Sequence, residues 1–158
     1  MDKNKIIIIS SWAGVLSWLV LIFYLSSQPA VESDELSKKV TKVIVDIVDK
    51  IIDLDDGKSG IDLVEEFNHI VRKYAHFTSY LVLGLLVMNA LFRSKVLGFK
   101  AFIFSLAFSI FYAVSDEVHQ LFVPGRGAQV TDVLIDSLGA FVGIGMYEVL
   151  GIVRRSPY

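Results

Sequence analysis

The chain has 158 residues, one domain's length, of which 54% are hydrophobic and 20% charged, with a net charge of -2 and a mean hydropathy of +0.59. That balance is a membrane protein's, and its basic residues cluster beside apolar runs rather than among base-stacking aromatics, so no nucleic-acid partner is expected. The absence of cysteine excludes a disulfide framework, a thiolate zinc site and a cysteine nucleophile.

Residues 6–25 carry no charge and are long enough to cross a hydrocarbon core of roughly 30 Å at about 1.5 Å per residue. Lys3 and Lys5 precede this run, and its length, with Trp12 and Trp18 inside it, favours a retained helix over a cleaved signal peptide. Ser26-Ser27-Gln28-Pro29 closes it, because the proline holds its predecessor in extended geometry. The segment 31–73 then contains two amphipathic stretches. In the first, Leu36, Val40, Val43, Ile44, Ile47, Val48 and Ile51 recur at helical spacing opposite Lys38, Lys39, Lys42, Asp46, Asp49 and Lys50. After the breaker Asp55-Asp56-Gly57-Lys58-Ser59-Gly60, the second continues with Val64, Phe67, Val71 and Tyr74. Two surface helices that lie along the membrane and roof a pocket are expected here.

Apolar runs at about 76–92, 97–115 and 130–150 bring the membrane-spanning helices to four. The expected fold is all-α, a single domain over 1–158: an integral membrane four-helix bundle with two extracytoplasmic amphipathic helices. Lys3 and Lys5, then Arg93, Lys95 and Lys100, then Arg154 and Arg155, flank the runs on one common side. The bias of basic residues toward the cytoplasm puts both termini there. Residues 26–28, 72–76 and 116–132 then converge on the extracytoplasmic face.

At about 100° per residue, Ser105, Ser109, Tyr112, Asp116 and His119 share one side of the third spanning helix, with Gln120 at its margin and Glu117 partly away. Lys73, Phe77, Tyr80 and Gly84 form a stripe on the second, with His76 beside it. Asp132, Asp136, Gly139 and Gly143 form another on the fourth, where the glycines form a small-xxx-small pair for close helix approach. Hydrogen bonds that merely join helices, worth about 0.6 kcal/mol each, account for one polar residue. They do not account for Lys73, His76, Asp116, His119, Arg126, Asp132 and Asp136 together, because a charge at mid-membrane costs about 2.5–3.5 kcal/mol to insert. A polar pocket near the outer leaflet is the reading that fits.

Leu25-Ser26-Ser27-Gln28, Arg72-Lys73-Tyr74-Ala75-His76-Phe77 with Tyr80 and Gly84, Asp116-Glu117-Val118-His119-Gln120, Pro124-Gly125-Arg126, and Asp132-Val133-Leu134-Ile135-Asp136 with Gly139 run in one order along the chain. In that order they resemble the motifs of VanZ-like membrane proteins. The resemblance spans most of the chain and implies a multi-pass bacterial cell-membrane protein of the cell envelope. It also implies a link to low-level resistance to teicoplanin and related lipoglycopeptides. Asp136 stands where many members of that family carry Asn, and 31–66 lies outside the motif pattern.

Two functions compete. As an enzyme, the pocket would hydrolyse or transfer a phosphate on a lipid-linked or envelope substrate. Asp116 and His119, one turn apart, would be its acid/base pair, and His76 and Asp132 would belong to the same catalytic set. Arg126, Arg72 and Lys73 would hold the anion. Gln28, Tyr80, Glu117, Gln120 and Asp136, which the family motifs contribute, join them as substrate-binding candidates. As a non-enzymatic binding factor, the same pocket would grip a membrane lipid, a lipid-linked envelope precursor or a lipoglycopeptide. No cofactor is expected. The lesser alternative is a metal shell built on the i, i+3 pair Asp116 and His119 with His76, Asp132 or Asp136. No Gly-rich phosphate loop, G-x-S-x-G elbow or H-E-x-x-H motif is present.

Overall fold

The computed structural model describes residues 2–52 and 60–155. Five helices and no strand occur among the described residues: α1 (Lys3–Ser26), α2 (Ala30–Ile52), α3 (Gly60–Arg93), α4 (Gly98–Gln120) and α5 (Val130–Arg155). Four segments are long and apolar enough to cross a membrane: Lys3–Ser26, Phe67–Arg93, Gly98–Gln120 and Val130–Gly151. The breaker expected at 55–60 lies outside the described residues except for Gly60, which starts α3.

The second amphipathic stretch is not a separate surface helix. It is the beginning of α3, a continuous helix of 34 residues. The reason is local: between Ile61 and Leu83 the sequence has no glycine or proline, so nothing interrupts the i to i−4 hydrogen bonds where polar sequence gives way to apolar. At about 1.5 Å per residue α3 is about 50 Å long, well beyond a hydrocarbon core of roughly 30 Å. Similarly, α4 does not stop near Ser115 but runs through Gln120, which puts Asp116, Glu117, His119 and Gln120 on its last turns. The α3–α4 link is a Schellman motif, with Lys95 at φ 65° and bonds from Val96 N to Leu91 O and from Lys95 N to Phe92 O, each 3.0 Å.

The most extensive pairing in the bundle is α3 with α5. Three glycines permit it. A methyl group on Gly84, Gly139 or Gly143 would strike the carbonyl oxygen of Ala140, Phe77 or Leu81 respectively, so the two backbones lie in direct contact. Around that seam the core is filled by Val15 and Ile22 of α1, Tyr80, Leu83 and Val87 of α3, Ala113 of α4 and Ala140 of α5. Polar clasps fix α1 against its neighbours: Trp18 Nε1 donates to Ser79 O at 2.9 Å and Tyr112 Oη to Leu19 O at 2.7 Å.

The α2 helix packs against the early part of α3 through its polar side. Thr41 and Asn68 are buried there, and Asn68 Nδ2 donates to Asp34 Oδ1 at 2.6 Å. Its apolar stripe, Leu36, Val40, Val43, Ile44 and Ile47, stays exposed. Asp34 also pairs with Lys38 at 3.1 Å, and that bond, more than the one from Asn68, lowers its pKa from the ordinary value against the opposing effect of burial.

Two outcomes are expected for stability. Gly143→Ala should lower thermal stability in detergent by about 1–3 kcal/mol, the usual range for overpacking. Gly145→Ala, whose Cβ would meet open space, should raise stability by up to about 1 kcal/mol through helix propensity. Because the Asp34 pKa is depressed on folding, its contribution is complete above the unfolded value of about 4 and is lost as pH falls through the folded value. Asp34→Asn should therefore destabilise the protein at neutral pH and match wild type in acid, as read from melting temperatures at both.

Candidate functional site

A cavity of about 190 Å³ opens where the C-terminal end of α1, the first half of α2, the early part of α3 and the α4–α5 connection meet. Ile22, Leu25, Leu36, Val40 and Val71 supply an apolar wall, while Ser26, Gln28, Arg72, His76, Tyr80 and Arg126 bring polar groups to it. Arg126 reaches the cavity through a turn. Pro124 and Gly125 stand at its centre, Gly125 has φ 76°, and Arg126 N donates to Val123 O at 3.1 Å, the pattern of a type II turn. The turn is held against α2, since Ala30 N donates to Pro124 O at 3.1 Å. The Arg126 guanidinium then lies over the end of α1, with Nη2 at 3.4 Å from Leu25 O.

Neither arginine on the wall forms an ion pair with a carboxylate among the described residues. Arg126 Nε is buried without a hydrogen-bond partner. Burial, followed by the like charge of Arg72, lowers the Arg126 pKa from its ordinary value, and Asp116 and Glu117 act on it only at longer range. An arginine stays protonated under such a shift, so two cations face the cavity, with carboxylates acting on them at a distance rather than in ion pairs.

The carboxylates lie behind the wall. Asp116, 3% exposed, accepts a hydrogen bond from Ser26 Oγ at 2.7 Å, and Gln120 Nε2 donates to Ser26 Oγ at 3.1 Å and more weakly to Asp116 Oδ2 at 3.4 Å. Its other oxygen has no hydrogen-bond partner. Asp136, fully buried on α5, lies 3.4 Å from Nδ1 of His76. That contact is a charge pair rather than a hydrogen bond, and both Asp136 oxygens otherwise lack partners. His76 thus spans the two regions, touching Asp136 on one side and the cavity on the other. Glu117 is buried as well, accepting from Gln129 N at 2.7 Å just before α5. This places a carboxylate at a helix N-terminus, where the backbone dipoles favour it.

Of the residues singled out by sequence, Arg72, His76, Tyr80, Gln28 and Arg126 come together on the cavity wall, with Asp116, Gln120 and Asp136 directly behind. Lys73 and Asp132 are half-buried and off the wall, and Glu117 is committed to the α4–α5 connection. His119 turns into the seam between α4 and α1, where Nε2 lies 3.1 Å from Ser27 Oγ and the ring is 4.5 Å from that of Phe23. Asp116 and His119 are therefore joined to different serines rather than to each other, although His76 and His119 both lie within Coulombic range of Asp116. Ser26 and Ser27 also belong to the site, although periodicity alone does not single them out. The available signal was their position as the first polar pair after an uncharged run of about twenty residues. Among the described residues no three His, Asp or Glu side chains converge as a metal-binding group.

Four membrane-length helices packed around buried carboxylates, with two arginines at a cavity at one end, define a small all-helical membrane bundle. Within that class the chain belongs to the VanZ/LLP1 family, whose family model matches residues 11–151. No curated protein and no solved structure matches the chain.

The His76–Asp136 contact makes its own prediction. Removing one partner of a buried ionic pair leaves the other charge uncompensated, at a cost of about 3–5 kcal/mol. His76→Ala should lower stability by that order, and adding Asp136→Asn should restore most of it, as measured by thermal unfolding in detergent.

Proposed function

We propose that this protein binds an anionic, lipid-linked substrate of the cell envelope, with the head group in the α1–α2–α3 cavity and the lipid chain against its apolar wall. The single observation that carries this reading is the pair of arginines, Arg72 and Arg126, facing an apolar-walled cavity without a carboxylate ion pair among the described residues. Two guanidinium groups repel one another, and an anion that accepts from both relieves the repulsion while forming charge-assisted hydrogen bonds. A small soluble anion has no use for Leu36, Val40 and Val71; a membrane lipid does. Gln28 adds an uncharged hydrogen-bonding group suited to phosphate oxygens. Lys3, Lys5, Arg93, Lys95 and Lys100 sit near the opposite ends of the spanning helices, and the bias of basic residues toward the cytoplasm supports an extracytoplasmic cavity.

Membership of the VanZ/LLP1 family favours one other occupant. A teicoplanin-type lipoglycopeptide carries both an acyl chain and ionised groups, and sequestering it would confer resistance without turnover.

The test is binding of the purified protein to phosphatidylcholine vesicles with and without polyprenyl phosphate. Binding should require the phosphate lipid. Each of Arg72→Ala and Arg126→Ala should weaken it about tenfold or more, the effect of losing one hydrogen bond to a charged group at about 1.5–3 kcal/mol. Equal binding to both vesicles, or indifference to both substitutions, overturns the proposal; capture of teicoplanin in preference to the phosphate lipid selects the alternative.

A further inference from the structure

Beyond holding an anion, the cavity contains a group placed to react with it. Ser26 is the last residue of α1 and lies on the cavity wall, yet it is only 4% exposed. Its hydroxyl proton points to Asp116 Oδ2 at 2.7 Å, and its oxygen accepts from Gln120 Nε2 at 3.1 Å. That is the arrangement of an activated nucleophile: a hydroxyl donating to a buried base, both held by a third side chain that also reaches Asp116. The arginine at the site is adjacent. Arg126 is bonded to the carbonyl of Leu25, the residue before Ser26, so an anion gripped by that guanidinium is brought to the end of α1 that carries the hydroxyl. The neighbouring Ser27 differs in every respect: its hydroxyl donates to Phe23 O at 2.6 Å, contacts His119, and does not line the cavity.

We infer that Ser26 is a nucleophile for phosphoryl transfer from the bound lipid, with Asp116 as its base and His76 as the proton donor to the leaving oxygen. The inference rests on the reading of the cavity as an anionic lipid site. In the first step the Ser26 Oγ–phosphorus bond forms and the bond from phosphorus to the lipid oxygen breaks. The Ser26 proton moves to Asp116, and protonated His76 gives its proton to the departing lipid alcohol. In the second step water attacks the phosphoserine, and His76 takes a proton from that water. The Ser26–phosphorus bond breaks as Asp116 returns its proton to Ser26 Oγ. The net change is hydrolysis of a lipid phosphate to alcohol and inorganic phosphate, and both side chains end in the protonation states in which they began. Arg72 and Arg126 neutralise the charge on the equatorial oxygens throughout. His76 suits its role because Nδ1 is turned toward Asp136 while the ring lies on the cavity wall.

The competing account is a clamp: Ser26, Asp116 and Gln120 would only join α1 to α4. An alkyl fluorophosphonate separates the two without a known substrate. With it, the Ser26 Oγ–phosphorus bond forms, the phosphorus–fluorine bond breaks, the proton goes to Asp116 and fluoride leaves. The purified full chain, treated in detergent, digested and analysed by mass spectrometry, should carry the adduct on Ser26 and not on Ser27. Asp116→Asn, nearly isosteric, should label at least tenfold more slowly, and Ser26→Ala not at all. A wild-type chain without adduct at Ser26, or labelling that is unchanged in Asp116→Asn, overturns the inference. The wild-type result is read without any variant having to fold. Binding of polyprenyl phosphate vesicles, measured on the same samples, separates this inference from the reading beneath it. A wild type that binds the phosphate lipid but fails to label leaves the binding site standing and removes the nucleophile. A wild type that labels but does not bind the phosphate lipid does the reverse for the lipid site.

Discussion

Contact between the backbones of α3 and α5 is the constraint from which the site follows. Gly84, Gly139 and Gly143 remove the side chains that would hold these helices apart, and the close register that results carries His76 to Asp136 three residues before Gly139. With ordinary side chains at the glycines, interaxial separation would approach the usual 8–10 Å, and a His–Asp contact of 3.4 Å at the same register would be out of reach. Tyr80, buried between the same helices and 6.3 Å from the ring of Tyr112, extends the contact toward α4. Packing at an apolar seam thus sets the position of charged groups one turn away.

Charge is sorted by depth. The carboxylates of Asp116, Glu117 and Asp136 are buried inside the bundle, and the guanidinium groups of Arg72 and Arg126 stand at the cavity. Each carboxylate has a different means of compensation: hydroxyl and amide donors for Asp116, a backbone N–H for Glu117, an imidazole for Asp136. Among the described residues the arginines have one hydrogen bond between them, to a carbonyl. Charge is thus divided between an enclosed set of carboxylates, several of whose oxygens still lack a hydrogen-bond partner, and a pair of guanidinium groups at the cavity.

Much of this was legible from residue order. The four spanning runs and the inward face of α4 follow from periodicity, because apolar residues recur at about 3.6 and polar ones collect on the opposite arc. The union of the second amphipathic stretch with the second spanning run was not, because a change of composition from polar to apolar resembles a change of element even where, as between Ile61 and Leu83, no breaker interrupts the helix. Pairing partners were less accessible still. The i, i+3 relation puts Asp116 and His119 about 60° apart on one helix, and whether they meet each other depends on what lies opposite. What lies opposite is the end of α1, whose consecutive serines divide them. Spacing along one helix cannot encode the register of another.

The α2 helix is attached to the bundle differently from the other four. Its polar side meets α3 through Asp34, Thr41 and Asn68, and its first turn hangs from the carbonyl of Pro124. Two residues after that carbonyl comes Arg126. One short turn therefore serves as a shared hinge pin, fixing a wall of the cavity and its principal charge to the same point. A displacement of the wall is transmitted to the guanidinium, and tension on the guanidinium is transmitted to the wall. In mechanical terms the apolar wall and the guanidinium are a single linkage.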